Sequence, residues 1–266
     1  MFSDAEIFIF ILIIILLIVI RITLSSNKSK GNAGEYYTEK KLHSMNKKKF
    51  CGYILRNIYI PKSENKTSEI DLIYITEKGI FVIESKNYSG YIFGKQEFKN
   101  WTQTLYNPKT KKVEKYHFYN PIWQNNNHIK ILKEYLNIAD LPVYSIIVFS
   151  ERCELKNINY SSPNTYVIKR SNLRRTVSQI WESNDSTLNS DNLCTIYNTL
   201  LPLTSISDDM KKKHIKDIYD DYDSNNKCPI CGGDLILRTA KSGPYAGNQF
   251  YGCSNYPKCH YTKNLN

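Results

Sequence analysis

Acidic side chains are in deficit: 25 Asp plus Glu stand against 36 Lys plus Arg, a formal net charge of +11 over 266 residues. That imbalance favours polyanions or anionic lipid as partners and leaves the choice between them open. Long apolar runs are almost absent. With 23% of residues charged, a polytopic membrane protein is excluded, and 41% hydrophobic content excludes a collagen-like or wholly disordered chain. The composition suits one large domain or two small ones. Cysteine is scarce outside the tail: of Cys51, Cys153, Cys194, Cys228, Cys231, Cys253 and Cys259, the last four crowd into residues 228–259. An odd, clustered set argues against a secreted disulfide framework and for a reducing compartment with a metal site. No internal repeat is present.

The one long apolar run is 7–20, which as a helix reaches only about 21 Å of a hydrocarbon core roughly 30 Å thick. Extended over 2–24, with Arg21 snorkelling to the headgroups, it reaches about 34 Å and spans with some tilt. Asp4 and Glu6 precede it where a signal peptide needs basic residues, and no small-residue cleavage site follows, so an uncleaved anchor is the better reading. A buried core helix is the alternative, although no polar face interrupts the run. Arg21, Lys28 and Lys30 follow it; the positive-inside rule then puts a single-pass protein in the cell (inner) membrane with the bulk of the chain in the cytoplasm.

The remainder divides into a domain at 31–150, a helical extension at 151–203, a linker at 204–227 and a tail at 228–266. The positive excess lies in two of these: 34–150 holds 18 basic and 11 acidic side chains, and 228–266 holds 4 and 1. Gly34-Glu35 opens a helix through Leu42 and Met45. Runs of β-branched and aromatic residues at 53–60, 69–76, 79–85 and 144–149 read as strands, with Glu77-Lys78-Gly79 turning a hairpin between the second and third. Residues 121–136 have helical apolar spacing. The order helix, three strands, helix, strand gives an α/β mixed sheet flanked by helices. A short strand at 166–168 and helices near 173–181 and 191–201 carry no evident chemistry, and 208–223 reads as a solvated helix or spacer.

Strand alternation puts Glu84 and Lys86 on one face of the hairpin, and pairing brings Asp71 toward them. Two carboxylates and a lysine suit metal-assisted phosphodiester hydrolysis, because hard oxygens hold Mg²⁺ (or Mn²⁺) and the ion neutralises charge developing on phosphate. Solvated or paired surface charges are the bland alternative. In the tail, Cys228-Pro-Ile-Cys231 with Cys253 and Cys259 supplies four thiolates, the donor set of a closed structural Zn²⁺ site, with an iron–sulfur cluster as the minor alternative. Zinc would provide the folding energy of so small a segment.

The segment from Gly34 to Ser150, with Gly34-Glu35, Glu69-Ile70-Asp71, Ile83-Glu84-Ser85-Lys86, Trp101, Asn120-Pro121, Gln124 and His128, resembles the nuclease-related domain, a branch of the restriction-endonuclease-like superfamily. The resemblance implies a restriction-endonuclease-like sheet, with Asp71 and Glu84 as metal ligands and Lys86 serving the attacking water. It adds Glu35 as a further carboxylate and gives Gln124 a supporting role. His128 shares the face of Gln124 but reads more simply as a core or surface histidine, and Trp101 as packing. The tail resembles the zinc ribbons of bacterial type IA topoisomerases, which are similar to binders of single-stranded nucleic acid. Arg238, Lys241 and Lys258 alternate there with Tyr245, Phe250, Tyr251, Tyr256 and Tyr261, pairing phosphate charge with stacking surfaces; Phe250 and Tyr251 cannot both face outward. Together these imply a membrane-anchored nuclease acting on DNA, with single strands the form that the ribbon resemblance suggests. A non-catalytic DNA tether and an anionic-lipid scaffold using Lys28, Lys30 and Lys47–Lys49 are the competing readings.

Overall fold

A computed structural model describes residues 33–46, 50–62, 66–138, 140–228, 230–231, 233–240, 245 and 247–264. The expected membrane helix at 2–24 lies outside them. Among the described residues no helix is long and apolar enough to cross a membrane. The chain divides into two compact units, ending and beginning at Ile206 and Ser207.

The first unit is a mixed α/β fold around a five-stranded sheet. Its strands are β1 (Gly52–Pro61), β2 (Thr67–Thr76), β3 (Gly79–Lys86), β7 (Val143–Phe149) and β9 (Thr165–Lys169), in that spatial order. The first three are antiparallel neighbours, whereas β3, β7 and β9 run parallel. Parallel β7 is buried along its whole length, as a strand covered on both faces must be. The odd–even alternation of β2 sorts its side chains between two cores. Leu72 and Tyr74 pack with Leu42 and Met45 of α1 (33–45) and with Leu173, Val177 and Ile180 of α3 (Leu173–Glu182). Ile73 and Ile75 face the other way, toward Leu132 of α2 (Pro121–Leu136) and Ile196 and Leu200 of α4 (Ser190–Leu200). The sheet is thus flanked by helices on both sides. The hairpin between β2 and β3 closes on Gly79, whose φ of +126° and 2.4 Å approach to the Pro142 carbonyl by an added Cβ exclude any side chain.

Residues 87–119 hold more than the sequence suggests. They form β4 (Gly90–Lys95), β5 (Asn100–Asn107) and β6 (Lys112–Tyr119), which with β8 (Cys153–Asn159) make a second sheet ordered β6-β5-β4-β8. The expected order of three strands, a helix and one strand therefore misses an entire sheet. The cause is composition: rings stand on both faces of β4, and Lys, Thr, Gln and Asn interrupt the hydrophobic residues of β5 and β6, so the period of two is hidden. Its inner face, with Ile92 and Trp101 wholly buried, packs on Ile122, Ile147 and Phe149. Trp101 is packing, as expected, and donates its indole N–H to the Lys95 carbonyl at 3.0 Å. Residues 151–203 hold strands β8 and β9 as well as helices α3 and α4.

The second unit comprises α5 (Asp208–Asn226) and a three-stranded antiparallel sheet of β10 (Leu235–Thr239), β11 (Gln249–Cys253) and β12 (Thr262–Asn264). Its buried cluster is small, namely Cys228, Leu235, Cys253 and Cys259 with Tyr251 and Tyr261 packed against it.

Candidate active site and cysteine site

The β2–β3 ladder runs from Thr76↔Gly79 to Leu72↔Ile83. One step further, Asp71 and Glu84 stand opposite each other, on the side of the sheet that faces α2. Asp71 takes the place of a ladder acceptor: its Oδ2 accepts the Ser85 N–H at 2.8 Å. Glu84 and Lys86, two residues apart, point the same way, and Lys86 Nζ donates to Glu84 Oε1 at 2.6 Å. From α2, Gln124 Oε1 accepts a second Lys86 N–H at 3.0 Å. One helical turn on, His128 Nε2 lies 3.5 Å from Glu84 Oε2, close enough to attract charge but outside good hydrogen-bond distance. Its Nδ1 meets the Ser68 hydroxyl at 2.9 Å. His128 is buried, as the core reading expects, and it also abuts the glutamate.

The helix is held in place by its own polar residues. Asn120 caps it, accepting the Ile122 N–H at 2.9 Å while its amide donates to the Phe98 and Gln96 carbonyls at 2.8 and 3.0 Å. Asn125 is wholly buried and ties the helix to both central strands, donating to the Val82 carbonyl at 2.9 Å and to Ser145 Oγ at 2.8 Å. On the opposite face α1 is clamped to β3. Thr38 Oγ1 lies 3.1 Å from Ser85 Oγ, and Arg170 donates to Thr38 Oγ1 at 3.0 Å and to the Gly34 carbonyl at 3.3 Å. A Cβ on Gly34 would come within 2.7 Å of Asn87, so only glycine admits the helix so close. Glu35 begins the turn that this contact positions.

The electrostatics are those of crowded carboxylates, one buried and two partly buried. Burial, then the Glu84 charge, raises the Asp71 carboxyl well above its usual range. Burial and neighbouring Glu69 raise Glu35, with a smaller contribution from Glu84. Glu84 goes the other way: burial opposes its ionisation, but Lys86 and His128 outweigh it and pull the group down to about 2. Lys86 is likewise held charged, the Glu84 carboxylate overcoming desolvation. Glu84 Oε2 and His128 Nε2 are both buried without a hydrogen-bond partner. Such an orphaned carboxylate oxygen beside a second, partly buried carboxylate fits a divalent cation. Glu35 belongs to the same field, yet among the described residues only the cysteines bring three or more ligand atoms within 4.8 Å of one another.

Sequence reasoning missed Asn57, Ser68 and Asn125. Asn57 sits across β1 from Asp71, between the pairs Arg56↔Leu72 and Ile58↔Ile70. It has a left-handed φ of 54° and a buried Oδ1 with no partner, the kind of local strain that gathers at functional sites. An asparagine inside a strand otherwise rich in Ile and Tyr was the available signal.

In the second unit the Sγ atoms of Cys228, Cys231, Cys253 and Cys259 all lie within 4.8 Å of one another. The Cys228–Cys259 and Cys231–Cys253 separations are 3.6 and 3.4 Å. Thiolates about 2.3 Å from a tetrahedral zinc stand roughly 3.8 Å apart, so the donor set fits Zn²⁺. Asn255 directs its backbone N–H at Cys253 Sγ (3.4 Å) and its amide at Cys231 Sγ (3.5 Å), the hydrogen bonding that steadies metal-bound sulfur. Tyr251 packs on this cluster, whereas Tyr245 and Tyr256 are exposed and Arg238 lies over the Tyr256 ring at 5.6 Å.

Comparison with known proteins agrees with both halves. Residues 30–150 match the nuclease-related domain, and residues 225–266 match the topoisomerase DNA binding C4 zinc finger. An uncharacterized protein of Bacillus anthracis is 33% identical over 195 residues, 73% of this chain and 86% of that protein. DNA topoisomerase 1 of Methanocaldococcus jannaschii is 59% identical over 39 residues, and that of Archaeoglobus fulgidus 56% over 36. These matches cover 15% and 14% of this chain but only 4% and 5% of the topoisomerases. No solved structure matches the chain. By its match at 30–150 and its relative of shared length, the chain belongs to the nuclease-related-domain family, and it carries a topoisomerase-type C4 zinc ribbon.

Proposed function

We propose that the protein is a metal-dependent nuclease with a restriction-endonuclease-like catalytic sheet, hydrolysing DNA phosphodiester bonds at the Asp71, Glu84 and Lys86 site. The observation that carries this reading is the partly buried lysine held between Glu84 and Gln124 next to an unpartnered glutamate oxygen. Asp71 and Glu84 would hold Mg²⁺ or Mn²⁺, which when bound offsets the charge that builds on the scissile phosphate. Lys86 is a cation, not a free amine. Of its three N–H donors, two are spent on Glu84 and Gln124, which leaves one for the attacking water or a phosphate oxygen. Gln124 fixes the direction of that donor, and His128 stands 3.5 Å from the other oxygen of Glu84. Glu35 adds negative potential that favours a cation at this edge of the sheet. The water attacks phosphorus directly, with no covalent enzyme intermediate.

The ribbon carries the second part of the proposal, capture of nucleic acid through Arg238, Lys258 and the exposed Tyr245 and Tyr256, and the segment 2–24 the third, anchorage in the cell membrane with the domain in the cytoplasm. Incubation of the purified chain with single- and double-stranded DNA and Mg²⁺ should give cleavage that Asp71→Ala and Lys86→Ala each remove. Cleavage surviving both substitutions refutes the site. Salt-sensitive binding with no cleavage by the wild type would leave a DNA tether instead.

A further inference from the structure

The outer face of the second sheet presents rings and ammonium groups in register. Pairing carries one row straight across four strands, Lys156–Phe93–Thr102–His117, and the next row is Glu154–Tyr91–Thr104–Lys115. The alternate residues Ile92, Trp101 and Phe118 are packed in the core beneath, so the rows lie on the other face, where Tyr91, Lys115 and Lys156 are exposed, Phe93 and Thr102 partly so, and Thr104 is covered. Tyr91 is half exposed, as is Tyr119 at the end of β6 (50% and 47%). Lys156 Nζ lies 5.6 Å from the Tyr91 ring. The one acidic side chain in these rows, Glu154, is matched by Lys169 at 3.0 Å, so Lys115 and Lys156 give the face a net positive charge.

We infer that this face is a stacking platform for single-stranded nucleic acid, in addition to the ribbon. The inference rests on the nucleic-acid reading above. Rings on one strand face recur about every 6–7 Å, a spacing that an extended strand of nucleotides spans with one base per ring. Every base has a π-face, so such a platform tolerates sequence, while lysines beside the rings meet the phosphates. A duplex hides its base faces and is the poorer fit. β4 begins at Gly90, directly after the strand that ends at Lys86, so a strand bound here lies on the same body as the cutting site.

The test uses the full chain with no divalent metal added and fluorescein-labelled oligo-dT and oligo-U of about a dozen nucleotides, read by anisotropy against salt. The joint substitution Tyr91→Ala with Phe93→Ala should weaken binding roughly tenfold or more. Lys115→Ala and Lys156→Ala should each lower the slope of log affinity on log salt by about 0.7. Preference for one oligonucleotide names DNA or RNA as the source. Cross-linking of a bromouracil-substituted strand to the wild type, mapped by mass spectrometry, should label residues 90–119 and does not depend on how a variant folds. The inference falls if all variants bind as the wild type does, if the cross-links lie only outside the second sheet, or if duplex binds better. It also falls if the substitutions dissolve a dimer without changing oligonucleotide affinity. Wild type that binds but never cuts would sink the nuclease reading and leave the platform; normal cutting with no effect of the ring substitutions would do the reverse.

Discussion

The two units bury polar chemistry in opposite ways. In the first, wholly buried side chains such as Leu72, Ile73, Tyr74 and Ile75 cover both faces of the central sheet, and apolar burial carries the fold. The carboxylate and lysine site is a local cost that this core tolerates. In the ribbon the buried cluster is three cysteines and one leucine, so the polar site is itself the source of stability. One unit can therefore lose its site and keep its fold, whereas the other cannot.

Zinc removal should expose the difference most sharply. Chelation, or Cys253→Ser, should cost the ribbon about 10 kcal/mol or more of apparent stability. Hydrogen exchange should then lose all protection in β10–β12 and leave β2, β3 and β7 unchanged. Equal loss in both units would break the distinction. Within the first unit, Glu84→Ala leaves the partly buried Lys86 without its nearest charge partner and should destabilise by about 2–3 kcal/mol, measured by denaturant unfolding with zinc content unchanged. Asn120→Ala removes a helix cap and two partly buried hydrogen bonds and should cost about 2 kcal/mol.

The smallest effect has the opposite sign. The folded state holds the Asp71 proton more tightly than the unfolded chain does, because burial and Glu84 raise its carboxyl. The stability from that proton is fully present below the ordinary aspartate range and is lost as pH rises through the folded value. In metal-free protein at neutral pH, Asp71→Asn should therefore stabilise by about 1 kcal/mol and flatten this part of the pH profile. Destabilisation at neutral pH would mean that Asp71 is paired rather than strained.

The contrast also explains what could be read from the sequence. Glu77-Lys78-Gly79 and the flanking alternation announce the hairpin, and with it the shared face of Glu84 and Lys86, because turn chemistry and strand period are local properties. The cysteine spacing is equally local. Lys86 meeting Gln124, and Glu84 meeting His128, depend on how α2 lies across the sheet, which Asn120 and Asn125 determine through long-range hydrogen bonds. Neither asparagine announces that role in the sequence. β4–β6 escaped notice because β4 is short and carries apolar rings on both faces, while Lys, Thr, Gln and Asn are mixed among the apolar residues of β5 and β6, so none shows a clean period of two.

The claim on which most depends is that Asp71 and Glu84 jointly capture a divalent ion. Titration of the zinc-loaded full chain with Mn²⁺, followed by electron paramagnetic resonance, measures this directly. Bound Mn²⁺ in the wild type, lost in Asp71→Ala and in Glu84→Ala but retained in Tyr91→Ala, is the expected result. Mn²⁺ that stays free, or that binds equally well to both carboxylate variants, would contradict it.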